Sequence, residues 1–184
     1  MAVDADILRK IEQNATKIQE RMRDADRLVK SKVATYPVLL LGDSVKYPLL
    51  RKGKEHLKSK GYSAFLLEDI QTDCLTDAAK MDCLSSFKEG SILLLDGSGP
   101  GTATEVTIIR SDDGLRFRTE LLFEGKELPL RAKTKIDYPV YFPRKRCFEG
   151  EQGYLTAILE VAEHDAYAQA NNIVAKLLGS GYKA

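Results

Sequence analysis

The stretch ILLLDGSGPGTATE, residues 92–105, runs from four consecutive apolar residues into a loop of small residues and ends on a glutamate. A short apolar run that is bounded by turn residues is typical of a strand buried on both faces of a sheet. We therefore predict a central strand at 92–95, followed by a glycine-rich loop that leads to Glu105.

Two more apolar runs, at 38–41 and 64–67, precede this strand in the chain. Helical stretches at 48–60 and 72–88 separate them, and a glycine closes each helix. Strands that alternate with helices over short connections predict right-handed crossovers and a parallel sheet with helices on both faces. The predicted fold class is therefore α/β: an open, mostly parallel sheet in a three-layer sandwich of the flavodoxin-like or Rossmann-like type.

Two long helices are predicted at the ends of the chain, over residues 4–33 and 152–178. The first carries an apolar stripe with alternating spacings of three and four: Leu8, Ile11, Ala15, Ile18, Met22, Ala25 and Val29. Such a heptad-like stripe packs either across the body of the domain or against another subunit. We expect one α/β domain over residues 1–184, with 1–34 as a helical appendage on a body at 35–184, and at least a homodimer.

The pattern is weaker between Glu105 and the last helix. The segment TEVTIIRSDDG, residues 104–114, is compatible with a short helix or with a strand. Residues 115–121 alternate apolar and polar side chains, which predicts a half-exposed strand, and 136–142 contains a proline, which indicates an edge strand. The basic cluster at 144–146 is interpreted as a solvated loop.

Composition argues against several classes of function. The 184 residues carry 28 Lys and Arg against 27 Asp and Glu, so no overall positive field would attract nucleic acid or anionic lipid. No apolar segment approaches the roughly 20 residues that span a bilayer, and the N-terminus has no signal-like segment. Three cysteines without a C-x-x-C pair predict neither disulfides nor a zinc site. We expect a soluble, cytoplasmic protein with no metal or organic cofactor, no nucleic acid polymer as partner and no membrane association.

In open α/β sheets, ligands bind at the carboxyl ends of the strands, where the connecting loops separate. The loop after 92–95 lies at such an end, and Asp96 and Glu105 place a carboxylate at each side of it. These two carboxylates are candidate catalytic groups, and the candidate substrate-binding residues are in the loops at this edge: Gly42, Asp43, Ser44, Gly97, Ser98, Gly101 and Thr102. The alternative is a structural role, in which Glu105 only stabilises the positive end of a helix dipole.

The string DGSGPGTATE, residues 96–105, resembles the signature of the nucleoside 2-deoxyribosyltransferase family and its deoxynucleotide N-hydrolase relatives. The resemblance extends over the order of elements from about Pro37 to Glu105, including the strand GYSAF at 61–65. It implies that Glu105, the glutamate of G-T-A-x-E, is the nucleophile and that the substrate is a small-molecule nucleoside or nucleotide.

The chemistry of such a reaction suits a carboxylate. Cleavage of an N-glycosidic bond passes through an oxocarbenium-like sugar, which a carboxylate near the anomeric carbon can stabilise or attack. Attack by water on the resulting intermediate makes a hydrolase, and attack by a second base makes a transferase. The sequence leaves both outcomes open.

The chain departs from the family pattern at three places. Gly99 and Pro100 stand where the family commonly has an aspartate before G-T-A. The residues VTII at 106–109 replace a small, glycine-containing continuation, and the first loop reads GDSVKYP at 42–48 instead of A-G-P. These differences leave a non-catalytic nucleotide-binding or assembly module as a second hypothesis.

A third hypothesis comes from LLLGDSVK, residues 39–46. A strand followed by G-D-S resembles the first block of the GDSL (SGNH) esterases, in which the serine, here Ser44, is the nucleophile. A nucleophilic serine needs a base within hydrogen-bonding distance, and the chain has only His56 and His164. That family usually has D-x-x-H near its C-terminus, whereas His164 lies inside the predicted last helix.

Overall fold

The structure is a computed structural model that describes residues 5–70, 76–97, 99–127 and 142–179. The helices are α1 (Ala5–Ala34), α2 (Tyr47–Ser59), α3 (Leu67–Ile70), α4 (Asp77–Ser86), α5 (Pro100–Ser111), α6 (Asp113–Arg118) and α7 (Gly150–Gly179), with a 3-10 turn at Ser44–Lys46. The strands are β1 (Pro37–Leu41), β2 (Ser63–Leu66), β3 (Ser91–Leu95), β4 (Thr119–Glu124) and β5 (Arg144–Phe148).

The described strands form one sheet in the order β2-β1-β3-β4-β5, and every neighbouring pair is parallel. This is the flavodoxin-like order of an open α/β sheet, so the predicted fold class is confirmed. Leu41 of β1 pairs with Leu94 of β3. Gly42 and Asp96 therefore leave the sheet at the same carboxyl edge, as the sequence predicted.

Helices cover both faces of the sheet because side chains along its central strands alternate between them. On one face Leu40 packs in a cluster with residues of α2 and α7. On the other face Leu39 and Leu41 pack with residues of α4, α5 and α6. Each fully buried leucine of this kind stabilises the fold by roughly 1.5–3 kcal/mol, so the apolar runs of β1 and β3 make a large contribution to the core.

Residues 104–111, which the sequence left open between helix and strand, belong to α5. The half-exposed strand predicted at 115–121 is wrong in its first part, because α6 occupies Asp113–Arg118 and β4 begins at Thr119. The side chain of Asp112 caps α6 by accepting a hydrogen bond of 3.0 Å from the backbone N–H of Leu115. This cap starts a helical turn, and β4 itself is buried along five of its six residues.

The basic cluster at 144–146 is a strand and not a solvated loop. Its first residue, Arg144, donates two hydrogen bonds to Asp165, of 2.8 and 3.0 Å, and one of 2.9 Å to Glu120. Arg146 forms an ion pair with Glu160. These carboxylates on β4 and α7 hold β5 at the edge of the sheet. The edge strand predicted at 136–142 falls outside the described residues except for Phe142, which is buried and lies in no strand.

The two long helices have nearly the predicted bounds. The later part of α1 packs on α7, which partly buries Ala25 and Val29. Residues 12–24 of α1 are exposed, and Ile18 and Met22 expose 57% and 67% of their surface. Of the five stripe residues whose side chains the structure describes, Ala15, Ile18 and Met22 are therefore uncovered in the single chain. In the part of the chain that the structure describes, no helix is both long and apolar enough to span a membrane.

Tyr154 of α7 is a core residue with a buried hydroxyl group, and its substitution tests how the core is packed. It is fully buried, and its hydroxyl has no hydrogen-bond partner among the described residues. Gly53 of α2 makes room for it, since a Cβ at that position would lie 2.8 Å from the hydroxyl oxygen.

We expect Tyr154→Phe to raise the free energy of unfolding by about 1 kcal/mol, because it removes a buried polar group that has no partner. Tyr154→Ala, which leaves a cavity, should lower it by roughly 3–5 kcal/mol. Urea unfolding followed by circular dichroism measures both values. A loss of stability in Tyr154→Phe would mean that the hydroxyl is hydrogen-bonded in solution.

Candidate active site

A cavity of about 390 Å³ opens at the carboxyl edge of β1 and β2, next to the start of α5. Its volume lies in the range of small-molecule sites. The lining residues come from four parts of the chain: Leu40, Leu41, Gly42, Asp43, Ser44, Tyr47, Leu50, Leu66, Leu67, Glu68, Lys80, Pro100, Gly101 and Glu105. The cavity therefore has an apolar floor, made by strand ends and α2, and a polar wall made by α4, α5 and the loop after β1.

Glu105 is the most buried carboxylate of this wall, with only 3% of its surface exposed. It lies on the inner side of α5, in the same buried set as Thr102, Val106 and Ile109. Burial raises the pKa of its carboxyl group to about 7; the nearby Lys80 ammonium opposes this shift and Asp43 adds to it. Near neutral pH the side chain is thus divided between its acid and carboxylate forms.

The two oxygens of Glu105 have different surroundings. Oε1 lies 3.7 Å from the Nζ of Lys80, an ion pair that is longer than a hydrogen bond. Oε2 is buried and has no hydrogen-bond partner among the described residues. A buried carboxylate oxygen without a partner is costly in a folded protein. Glu105 as a residue lines the cavity, so its carboxyl group lies next to the space that a ligand would occupy.

Lys80 on α4 was not predicted from the sequence. Its side chain is only 16% exposed, and Gly101 leaves space for it, because a Cβ on Gly101 would lie 3.2 Å from Nζ. The helix α4 is positioned by its N-cap, in which Thr76 accepts a hydrogen bond from the Ala79 N–H. The lysine is far from Glu105 in sequence, so only the packing of α4 on α5 reveals the pair.

The loops after β1 and β3 fit into each other through Asp43 and two glycines. A Cβ on Gly99 would overlap the Asp43 carboxylate, and one on Gly97 would lie 2.7 Å from the Asp43 Cβ. Asp43 also accepts hydrogen bonds of 3.2 Å from the Ser44 hydroxyl and 3.5 Å from the Val45 N–H. Gly97 and Gly99 are therefore required here for close approach of the two loops.

The predicted site residues are placed as follows. Gly42, Asp43, Ser44, Gly101 and Glu105 line the cavity. Asp96 lies at the same edge but is 4% exposed and is not a lining residue; its backbone N–H donates to the Leu122 carbonyl at 2.9 Å.

The remaining predictions concern the β3 loop and the start of α5. Thr102 is completely buried behind the cavity wall, and its hydroxyl has no partner among the described residues. Gly97 lies against Asp43. Ser98 lies outside the described residues.

Tyr47 and Glu68 are two further lining residues, and neither belongs to a sequence pattern that would select it. The pKa of the Tyr47 hydroxyl is raised by burial and then by a hydrogen bond with Glu68. The Arg51 guanidinium lies 5.0 Å from the centre of the tyrosine ring and 3.5 Å from Glu68. The three side chains form a polar and aromatic corner on the α2 side of the cavity.

Comparison with known proteins adds little to this description. Neither a protein-family model nor a curated protein sequence matches the chain. A solved structure described as a hypothetical protein is similar over 98% of this chain and 93% of its own, with 12% identity and a TM-score of 0.39.

The buried carboxyl group makes stability depend on pH. Between pH 4.5, the ordinary pKa of a glutamate, and about 7, the folded state binds more protons at Glu105 than the unfolded state does. The free energy of unfolding therefore falls as pH rises through this window, by about 3 kcal/mol for this group.

We expect Glu105→Gln to remove this fall, so that the variant gains about 3 kcal/mol relative to the wild type between pH 4 and 8. Urea unfolding at several pH values measures the difference. Glu55→Gln, on the exposed side of α2, is the control and should follow the wild-type profile. Parallel profiles for Glu105→Gln and wild type would contradict a buried, titrating Glu105.

Proposed function

We propose that this protein is an N-ribosyl hydrolase or transferase. Its substrate would be a (deoxy)nucleoside, a nucleotide or a related N-glycoside, with Glu105 as the nucleophile. The observation that carries the proposal is the unpartnered Oε2 of Glu105, buried in the wall of a cavity of suitable size. The resemblance of residues 96–105 to the deoxyribosyltransferase signature selects the same side chain.

The proposed reaction has two steps, and the Glu105 carboxylate takes part in both. The Glu105 carboxylate attacks the anomeric carbon while the C–N bond breaks, and the electron pair of that bond goes to the base, which takes a proton from solvent. A water molecule or a second base then attacks the anomeric carbon of the glycosyl ester, releases Glu105 and gives up a proton. The positive charge on the sugar in each transition state favours the carboxylate form of Glu105.

Lys80 acts as a positioning residue in this scheme. Its ammonium lies 3.7 Å from Oε1 and so orients the Glu105 carboxylate, and it lowers the pKa that burial raises. Tyr47 offers an aromatic surface for a base, since aromatic rings stack on nucleobases. Asp43 accepts hydrogen bonds and is suited to bind a sugar hydroxyl.

The esterase hypothesis has less support from the same loop. The Ser44 hydroxyl donates to the Asp43 carboxylate at 3.2 Å, and neither His56 nor His164 is among the residues that line the cavity. A serine without a base in reach is a weak nucleophile.

The proposal is tested by incubating the protein with deoxynucleosides, their monophosphates and other N-ribosides, and measuring release of free base by chromatography. Glu105→Ala should lower the rate at least about a thousandfold, because a covalent nucleophile is lost. Ser44→Ala should have a much smaller effect. The wild-type kcat/KM should fall as pH drops below about 7, where Glu105 becomes protonated. In Lys80→Met this fall should begin at a higher pH.

Three outcomes separate the hypotheses. Base release that depends on Glu105 supports the glycosidase. Binding of nucleosides without base release, equal in wild type and Glu105→Ala, would replace it with a binding module. Hydrolysis of an ester substrate that depends on Ser44 would support the esterase instead.

We also propose that the protein forms a homodimer or higher homo-oligomer through the exposed half of α1. Ile18 and Met22 lie one turn apart on one stripe and are more than half exposed. Covering such residues with those of a second copy stabilises an assembly by burial of apolar surface.

Light scattering at micromolar concentration should give at least a dimer mass for the wild type. The double variant Ile18→Lys and Met22→Lys should be a monomer, since it places charge on the contact stripe. Glu20→Lys, on the opposite side of α1, is the control and should keep the wild-type mass. A monomer mass for the wild type would remove this proposal.

A further inference from the structure

Asp43 lies at the N-terminus of α5. Gly99 is the N-cap of this helix, and no side chain caps it by a hydrogen bond. A Cβ on Gly99 would lie 2.5 Å from Cγ and Oδ2 of Asp43, so the carboxylate lies directly against the N-cap residue of the helix. The carboxylate comes from the loop after β1, and the helix follows β3.

An open helix N-terminus in an α/β fold is a position that attracts a phosphate group of a ligand. The amides of Gly101 and Thr102 have no acceptor within the helix, because the first turn of any helix leaves its N–H groups unpaired. Pro100 has no N–H at all. The positive potential of α5 is thus concentrated at the place where Asp43 already supplies a negative charge.

The other charged side chains that line the cavity do not neutralise the negative charge of Asp43. Among the residues that the structure describes, the cavity is lined by three carboxylates, those of Asp43, Glu68 and Glu105, and by one ammonium group, that of Lys80. Lys80 pairs with Glu105, and Glu68 pairs with Arg51. Over the ranges that the structure describes, Asp43 has no ion pair within 4.0 Å. A phosphate at this end of the cavity would meet a fixed negative charge.

We propose that Asp43 is a specificity residue that excludes phosphate, so that the cavity selects an unphosphorylated ligand. The carboxylate lies beside the helix N-terminus, where its charge repels a phosphate, and it offers its oxygens to sugar hydroxyls instead. Identifying the ligand as a nucleoside in place of a nucleoside monophosphate rests on the function proposed above. The exclusion of phosphate itself rests on the position of Asp43 alone.

The test uses Asp43→Asn in the full chain, with two kinds of measurement. The first is binding of inorganic phosphate and of deoxyribose 5-phosphate by calorimetry, which requires no catalysis. The second is the ratio of base release from a deoxynucleoside to that from its 5′-monophosphate. Removing one charge within a few ångströms should tighten binding of both phosphate probes by about tenfold or more and lower the ratio by a similar factor.

Two further variants make the result interpretable. Glu55→Gln removes the same charge from the exposed side of α2 and should leave phosphate binding and the ratio at wild-type values. Asp43→Ser keeps a side-chain oxygen for the turn after β1 and should gain phosphate binding as Asp43→Asn does. Circular dichroism checks that each variant is folded.

The inference is overturned if the wild type binds the phosphate probes as tightly as folded Asp43→Asn or Asp43→Ser, or uses the monophosphate as well as the nucleoside. Failure of the proposed function has a different result. In that case no base is released from any substrate, while the gain of phosphate binding in the two variants still supports the role of Asp43.

Discussion

The arrangement of the site depends on the burial of one carboxylate at the end of an apolar sheet. Glu105 has 3% of its surface exposed, and an ionised group in such a place costs free energy unless it is paired. The Lys80 ammonium at 3.7 Å offsets part of this cost, but one oxygen has no partner among the residues that the structure describes. A buried group that lowers the stability of the fold and lacks full compensating contacts is typical of functional sites.

Glycines near Glu105 allow other side chains of the site to approach closely. Gly101 admits Lys80 from α4, while Gly97 and Gly99 admit Asp43 from the loop after β1. The parallel order of β1 and β3 is what brings these loops together, because strands that run in one direction release their loops at one edge. The glycines of the loop therefore matter for the contacts between elements as well as for access of a ligand.

The sequence predicted the parts of the fold that are made by continuous apolar runs. β1 and β3 were found because strands buried on both faces need no polar residues, and β2 was found from its short apolar run. Gly61 follows the C-cap of α2 as predicted, whereas α4 ends at Ser86, before Gly90. β5 was missed because an edge strand with Arg144 and Arg146 has no apolar run, and its charges are satisfied by carboxylates on β4 and α7. The first half of 115–121 was misassigned because its alternating side chains suggested a strand, whereas the Asp112 side chain caps a helical turn at this place.

The residues of the candidate site, like the strands, were predictable only in part. Glu105 and the two loops could be selected because strand ends and glycines mark them in the sequence. Lys80, Tyr47 and Glu68 could not, since each reaches the cavity only through the packing of a helix or through the end of a neighbouring strand. A residue of a motif can be recognised from the neighbouring sequence, whereas the residues that contact it in space depend on the whole fold.

The charged edge strand also bears on how the protein behaves at high concentration. Within the described chain, the outer strands are β2, with four residues, and β5, in which Arg144, Lys145 and Arg146 are consecutive. Short strands and strands rich in basic residues are poor templates for pairing with another molecule. Addition of a strand from another molecule to either edge, the first step toward an amyloid-like aggregate, is thereby disfavoured.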